Sequence, residues 1–314
     1  MMSSIINKAG YLISNKYNNL KNAENLNTVQ QALQEIKMLE GKILAQQNLL
    51  NKEVILNNLN KAEFKVFSQW GDDGIIQFLV DYLDIENKIF IEFGVENYNE
   101  ANTRFLLMNN CWKGLVMDAS AENINHIKTS NLYWQYQLEA RESFISKNNI
   151  NELIHSYLNG RQLGLLVIDI DGNDYWIWNV LQNINPEIVI VEYNSLFGFE
   201  KAITVPYKED FDRNKAHYSN LYYGASLPAL QHLANKKGYQ LVACNNNGNN
   251  AFFVRNDKIK NLKALTVQQA YKEASFRESR NQNNKLTYLN FEAAQKLISG
   301  MPVFNIINEI EESF

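Results

Sequence analysis

The residues of this sequence whose types and spacing suit chemistry are carboxylates at the ends of predicted strands. Asp169 and Asp171 follow the apolar run 165–168 and lie two positions apart, so on an extended chain they point to the same side. Two carboxylates held that close share either a proton or a cation. Glu192 and Asn194 end the next predicted strand and arrive beside Asp171 across a parallel sheet. Asp171, Glu192 and Asn194 form an oxygen-only set suited to a hard cation such as magnesium. Two other readings stay open. Asp171-Gly172-Asn173 is also helix-starting chemistry, which would make Asp171 a cap, and Glu192 could hold a substrate hydroxyl with no metal. Of the histidines, His126, His155 and His232 fall on predicted helices, whereas His217 lies in the connection 195–225, long enough to be a lid or binding loop. Asp171 or His217 is the expected base, with Glu192 completing the reacting group. The same connection is rich in aromatic residues from Phe197 to Tyr223, which either stack on a sugar ring or form an apolar cluster beneath the loop.

A mostly parallel α/β sheet has to position these groups. Apolar runs predict strands at 89–93, 115–118, 133–138, 165–169 and 188–192, with helices near 100–109, 121–129, 148–158 and 173–183 between them. A helix at 226–237 leads to strands at 240–243 and 251–255, joined by the Asn-rich turn 245–250 as a hairpin. The expected fold is a Rossmann-like α/β domain over 63–256, with a seven-stranded, mostly parallel sheet ending in an antiparallel hairpin. Before it, in segment 1–62, Val29, Leu33, Ile36, Ile43, Leu50 and Val54 recur at alternating spacings of four and three, interrupted by Glu40 and Gln47. This predicts a long helix that either packs on the domain or pairs two chains as a coiled coil. Segment 257–314 reads as a helical appendage: polar and helical to about 299, apolar over 301–307, acidic at the end.

In open α/β sheets ligands sit beyond the carboxyl ends of the strands, where strand order reverses. The first strand ends in Glu92-Phe93-Gly94, where Gly94 permits close approach of backbone to ligand, and the helix expected from about Asn99 offers its amino end to a charged group. A dinucleotide fingerprint wants three glycines and only one is present. The second strand ends at Asp118, 24 positions beyond Gly94, where an acidic residue can accept from ribose hydroxyls or cap the next helix.

The stretch Phe67-Ser68-Gln69-Trp70-Gly71-Asp72-Asp73-Gly74-Ile75-Ile76, with Phe90-Ile91-Glu92-Phe93-Gly94-Val95 and Asn102-Thr103, resembles the FkbM-type class I methyltransferases. Ile168-Asp169-Ile170-Asp171-Gly172-Asn173-Asp174-Tyr175-Trp176, Val191-Glu192-Tyr193-Asn194 and Tyr222-Tyr223-Gly224-Ala225-Ser226-Leu227 extend the likeness, which covers about 64–256. One departure is Glu96-Asn97, where the family often has an acidic residue followed by Gly. The resemblance implies methyl transfer from S-adenosylmethionine to a hydroxyl of a sugar or other small polar metabolite, in glycan or natural-product biosynthesis. It also implies that Glu92, Phe93 and Gly94 line the methionyl and ribose side, with Asp169 beside them. Asp118 and Ala119 would hold the ribose, Leu138 and Glu139 would flank the adenine, and Gln69 would close over the cofactor. The terminal hairpin agrees, because this family's sheet ends with one reversed strand. Two rivals remain: a non-catalytic cofactor-binding scaffold assembled through the long helix, and an NAD-linked oxidoreductase, disfavoured by the missing glycines and the hairpin.

Composition excludes several classes. Hydrophobic residues are 46% and charged residues 20% of 314, which is ordinary for a globular chain. A net charge of -4 without a dense basic patch argues against nucleic acid. No apolar run reaches a membrane span, and residues 1–17 lack a compact apolar stretch with a cleavage site, so a cytoplasmic protein is expected. Cys111 and Cys244 lie far apart, with neither disulfide nor zinc spacing.

Overall fold

Apolar residues alternate between the two faces of every central strand, and this alternation lets helices cover both sides. The computed structural model describes residues 28–314; the segment 1–17 and the first position of the predicted N-terminal helix, Asn27, lie outside them. Strands β1 (Ile89–Phe93), β2 (Lys113–Asp118), β3 (Leu138–Glu142), β4 (Leu165–Ile168) and β5 (Ile188–Glu192) are parallel. A two-residue strand β6 (Ile203–Thr204) lies in the following connection, and β7 (Tyr239–Cys244) and β8 (Asn250–Arg255) form the expected hairpin. The seven-stranded sheet runs β3-β2-β1-β4-β5-β8-β7, with β8 the one reversed strand. In β1, Ile89, Ile91 and Phe93 enter one core cluster and Phe90 the other; Leu166 and Val189 sort with the first, Leu165 and Ile188 with the second. The sheet is the Rossmann-like α/β sheet expected, and its order reverses between β1 and β4.

One strand is displaced. The first half of the predicted strand 133–138 belongs to a helix, Asn131–Gln135, and the third strand is Leu138–Glu142. The aromatic run Tyr133-Trp134 has strand propensity, but the real strand is an edge with Leu138 and Ala140 buried between half-buried Glu139 and Arg141, so polar residues disguise it.

The N-terminal helix covers 28–50 and continues after a turn as Lys52–Asn57. It is two-faced. Ala45 is buried against Phe64, Val66, Phe67 and Phe105, and Gly41 lies so close that a Cβ there would come within 2.7 Å of Val66. The opposite stripe, Val29, Leu33, Ile36, Ile43, Leu50 and Val54, is exposed. The helix therefore packs on the domain with one face only.

The C-terminal segment holds two short helices, Val267–Ala270 and Phe291–Leu297, instead of a helical run to about 299. Between them a small turn bonds to itself over 279–287, and the backbone leading into it bonds to the main domain: Ala274 N–H donates to Ser195 Oγ at 3.0 Å, Ser275 N–H to the Asn247 carbonyl at 2.9 Å and Arg280 N–H to the Ser219 carbonyl at 3.2 Å. Beyond these helices β9 (Pro302–Asn305) and β10 (Ile310–Ser313) join β6 in a three-stranded sheet, so the tail clamps the long connection. Among the described residues no helix is long and apolar enough to cross a membrane.

Candidate active site

At the switch point between β1 and β4 the chain leaves no room for a side chain. Gly94 has φ +67°, and a Cβ there would stand 1.7 Å from the Asp169 carbonyl oxygen. A cavity of about 540 Å³ opens here, walled by Gln69, Glu92, Phe93, Gly94, Asp169, Asp171 and Glu192. Glu92 reaches the wall, but its carboxylate accepts from Asn102 N–H at 2.8 Å, Thr103 N–H at 3.0 Å and the Thr103 hydroxyl at 2.5 Å. The helix expected near Asn99 starts at Arg104, and the charge facing its amino end is this chain's own Glu92. Burial pushes the Glu92 carboxyl up to about 7 against those three hydrogen bonds. Asp73 plays a similar part: one oxygen accepts from the Val66, Phe67 and Ser68 amides at 2.7, 2.7 and 2.8 Å, fixing the loop that presents Gln69 and Trp70 to the cavity.

A recess of about 190 Å³ adjoins the cavity and shares Gly94, Glu96, Asp169 and Asp171 with it. Asp118 and Ala119 line the recess, with Ser143, Phe144 and Ile145 opposite. Asp118 accepts from Glu96 N–H at 2.9 Å, Ser120 N–H at 2.8 Å and the Asn123 amide at 3.0 Å. It does not cap the next helix; the Ser120 hydroxyl does. Leu138 and Glu139 are not at this site. Leu138 pairs with Gly114 at the amino end of the sheet and Glu139 is salt-bridged to Arg141 at 2.6 Å, whereas Ser143 and Phe144, just beyond the displaced strand, line the recess.

The second half of the sheet brings three carboxylates together. Asp169, Asp171 and Glu192 offer oxygens all within 4.8 Å of one another, so their donor set could hold a hard cation. Burial first, then repulsion from a neighbouring carboxylate, Asp171 for Asp169 and Asp169 for Glu192, holds both well above the usual carboxylate range. The Glu192 Oε2 atom is buried with no hydrogen-bond partner. Asp171 is exposed, has φ +55° and is not a helix cap; Asp174 braces that turn instead, accepting from Ile170 N–H at 2.8 Å and Gly172 N–H at 2.9 Å. A non-glycine residue in the left-handed region costs about 1 kcal/mol or more and recurs at functional sites.

Two expected members are elsewhere. The Asn194 amide donates to the Leu221 and Tyr223 carbonyls at 2.9 and 3.0 Å while its oxygen accepts from Leu196 N–H at 3.0 Å, so it organises the connection and faces no cation. His217 is outside the cavity wall, its Nδ1 bonded to the Ser219 hydroxyl at 2.7 Å, and burial holds it below the usual imidazole value. Most of the aromatic set is also structural: Phe197, Phe211 and Tyr222 join the cluster beneath the connection, and only Tyr223 lines the main cavity.

The cation at this site is Arg213, which sequence reading missed. It donates to Asp171 at 2.5 Å, approaches Glu278 at 3.9 Å and lies 3.8 Å above the Tyr223 ring. Phe276, Glu278 and Arg280 from the C-terminal segment complete the wall, with Phe276 stacked on Trp70 at 6.3 Å. Neither contribution had a signal in the chain, because lone arginines in loops are ordinary. Buried polar atoms without partners gather here: Trp70 Nε1, Glu192 Oε2, Asn250 Oδ1 and Arg280 Nε all belong to cavity-lining residues.

No family model and no curated protein matches the chain. Among solved structures it is similar to the N-terminal domain of EvdMO1 with SAH bound (8% identity, covering 60% of this chain and 81% of that one, TM-score 0.39). It is also similar to an S-adenosylmethionine-dependent methyltransferase from Clostridium acetobutylicum (12%, 66% and 99%, 0.39) and to M. capricolum TrmK in complex with S-adenosyl-homocysteine (14%, 63% and 76%, 0.34). The strand order by itself describes the fold.

Proposed function

We propose that the protein is an S-adenosylmethionine-dependent methyltransferase acting on a hydroxyl of a sugar or similar polyhydroxylated acceptor. The observation that carries this reading is the pair of contiguous hollows at the switch point, a small recess beside Asp118 and a larger acidic cavity, joined across Gly94 and Asp169. The recess takes the nucleoside: Asp118 retains acceptor capacity for a ribose hydroxyl, and Phe144 supplies a ring beside the base. The methionyl part passes Gly94 into the main cavity beneath Gln69. The cofactor supplies an electrophilic methyl group, and carboxylates outnumber guanidinium groups on the wall, which favours a positive sulfonium.

The acceptor hydroxyl lies against Asp169 and Glu192. The bound cofactor would supply the methyl group and keep the C–S electron pair on sulfur, while Asp169 and Glu192 take up the proton that the acceptor hydroxyl loses as its C–O bond forms; burial raises the proton affinity of both carboxyls, as a general base requires. Arg213 holds Asp171 and Tyr223 in place and balances the gathered negative charge. A second reading has magnesium on Asp169, Asp171 and Glu192, supported by their 4.8 Å grouping; the cation would displace Arg213 from Asp171 and orient the same hydroxyl. Incubation with methyl-labelled S-adenosylmethionine and a panel of glycans and polyols should transfer label to an oxygen. Transfer abolished by a chelator favours the metal reading, and an unlabelled panel counts against the saccharide acceptor.

The exposed stripe of the N-terminal helix suits a second copy of this chain, because the same apolar row, repeated at coiled-coil spacing, meets itself across a two-fold axis. Ile36→Lys with Ile43→Lys, which spares the docked face, should convert a dimer to a monomer in light scattering; an unchanged mass rejects the pairing.

A further inference from the structure

A third hollow, of about 220 Å³, lies behind the reacting groups. Its wall is more apolar than that of the main cavity: Leu196 and Leu221 face it from the long connection and Leu289, Phe291 and Ala294 from the C-terminal segment, with Asn194, Ser279 and Asn290 among its polar members. Arg213, Tyr223, Phe276 and Glu278 line both spaces, so the two meet at one partition. That partition joins three segments, with the Arg213 guanidinium 3.8 Å from the centre of the Tyr223 ring and 3.9 Å from Glu278, while Phe276 stacks on Trp70. Only side chains stand between the acidic site and an apolar chamber.

Resting on the methyltransferase reading, we infer that the acceptor is amphiphilic: its hydroxyl-bearing end lies at Asp169 and Glu192, and an apolar tail, an aryl ring or short alkyl chain, fills the chamber behind Arg213 and Phe276. The size fits, since an apolar cavity of about 150 Å³ holds a benzene ring. Adjacency makes the occupant part of the same molecule: the chamber abuts the main cavity along four shared wall residues, and the tail passes by turning the Phe276 side chain aside. The tail supplies binding energy away from the reacting centre, and the polar end is then oriented by the carboxylates. This also gives the C-terminal segment a role: residues 274–279 and 289–294 build a specificity pocket on a common sheet.

The test uses benzyl alcohol and erythritol, an aryl-bearing and a purely polar alcohol, as probes of the full-length protein by ligand-observed saturation-transfer NMR. Benzyl alcohol should bind the wild type more tightly than erythritol does, and Ala294→Phe, which fills the chamber, should weaken it by about tenfold or more, the factor that lost burial of a few carbons produces. S-adenosylhomocysteine affinity should stay within about twofold in that variant, since the chamber is separate from the recess. If Ala294→Phe fails to fold by circular dichroism, the smaller Ala294→Leu gives the same comparison. Equal binding of benzyl alcohol to wild type and variant, or no binding to either, overturns the chamber assignment. Because the alcohol needs no cofactor, a protein that binds it in the chamber yet ignores S-adenosylhomocysteine would overturn the methyltransferase reading alone.

Discussion

The carboxylates at the carboxyl edge of this sheet fall into two groups that differ in what their oxygens already hold. On the β1–β3 side, Glu92, Asp118 and Asp73 each accept several hydrogen bonds from their own chain. On the β4–β5 side, Asp169 accepts none among the described residues, and one oxygen of buried Glu192 has no partner. A buried charge without partners is costly, so the second group is held in place by the fold and not by its own contacts. The first group shapes the loops that form the walls, and the second is poised for a ligand.

Swapping charge for amide should expose this difference. The largest effect is expected at Glu192→Gln, which should lower kcat by about 10²–10⁴-fold, the usual contribution of a positioned base, while leaving the melting temperature unchanged or raised because an uncompensated carboxylate has gone. The activity of the wild type should rise with pH as the Asp169–Glu192 pair loses its shared proton, and Glu192→Gln should flatten that rise; an unaltered profile removes Glu192 from the proton transfer. Glu92→Ala should behave in the opposite way, losing about 3 kcal/mol or more of stability in denaturant titration, because Asn102 N–H, Thr103 N–H and the Thr103 hydroxyl lose their acceptor. A variant as stable as the wild type would erase the distinction between the two groups.

A separate effect is the pH dependence of stability. Burial raises the Glu92 carboxyl from 4.5 to about 7, so the folded state holds a proton that the unfolded chain releases. Its contribution is complete below 4.5 and is lost as pH climbs to about 7, and Asp72, raised to about 7 by burial, adds a loss of the same sign. Thermal unfolding should therefore occur at lower temperature at neutral than at mildly acidic pH, and a flat or rising profile across that window would contradict the assigned burial effect.

Most of the fold was legible because the apolar runs at 89–93, 165–168 and 188–192 are buried on both faces and strongly patterned. The edge strand was misplaced because Glu139 and Arg141 dilute its pattern while Tyr133 and Trp134 advertise a strand that is absent. Gly94, Asp118, Asp169, Asp171 and Glu192 were legible by position, since strand ends are where open α/β sheets bind ligands, and all five line the two hollows. Leu138 and Glu139 fell with the displaced strand. Asn194 and His217 have suitable chemistry but turn into their own connection, a matter of loop geometry that residue type does not reveal. Arg213 and Phe276 were invisible for the converse reason: their loops reach the cavity only through long-range backbone bonds such as Ala274 N–H to Ser195 Oγ.

The central claim is an adenosyl site spanning Asp118 and Gly94, and calorimetric titration with S-adenosylmethionine, S-adenosylhomocysteine and NAD tests it most directly, on the wild type and on Asp118→Ala. The two adenosyl ligands should bind and NAD should not, with binding weakened about tenfold to a hundredfold in the folded variant, the loss expected for a charge-assisted hydrogen bond. Binding of NAD alone, silence from both adenosyl ligands, or full affinity in Asp118→Ala would contradict it.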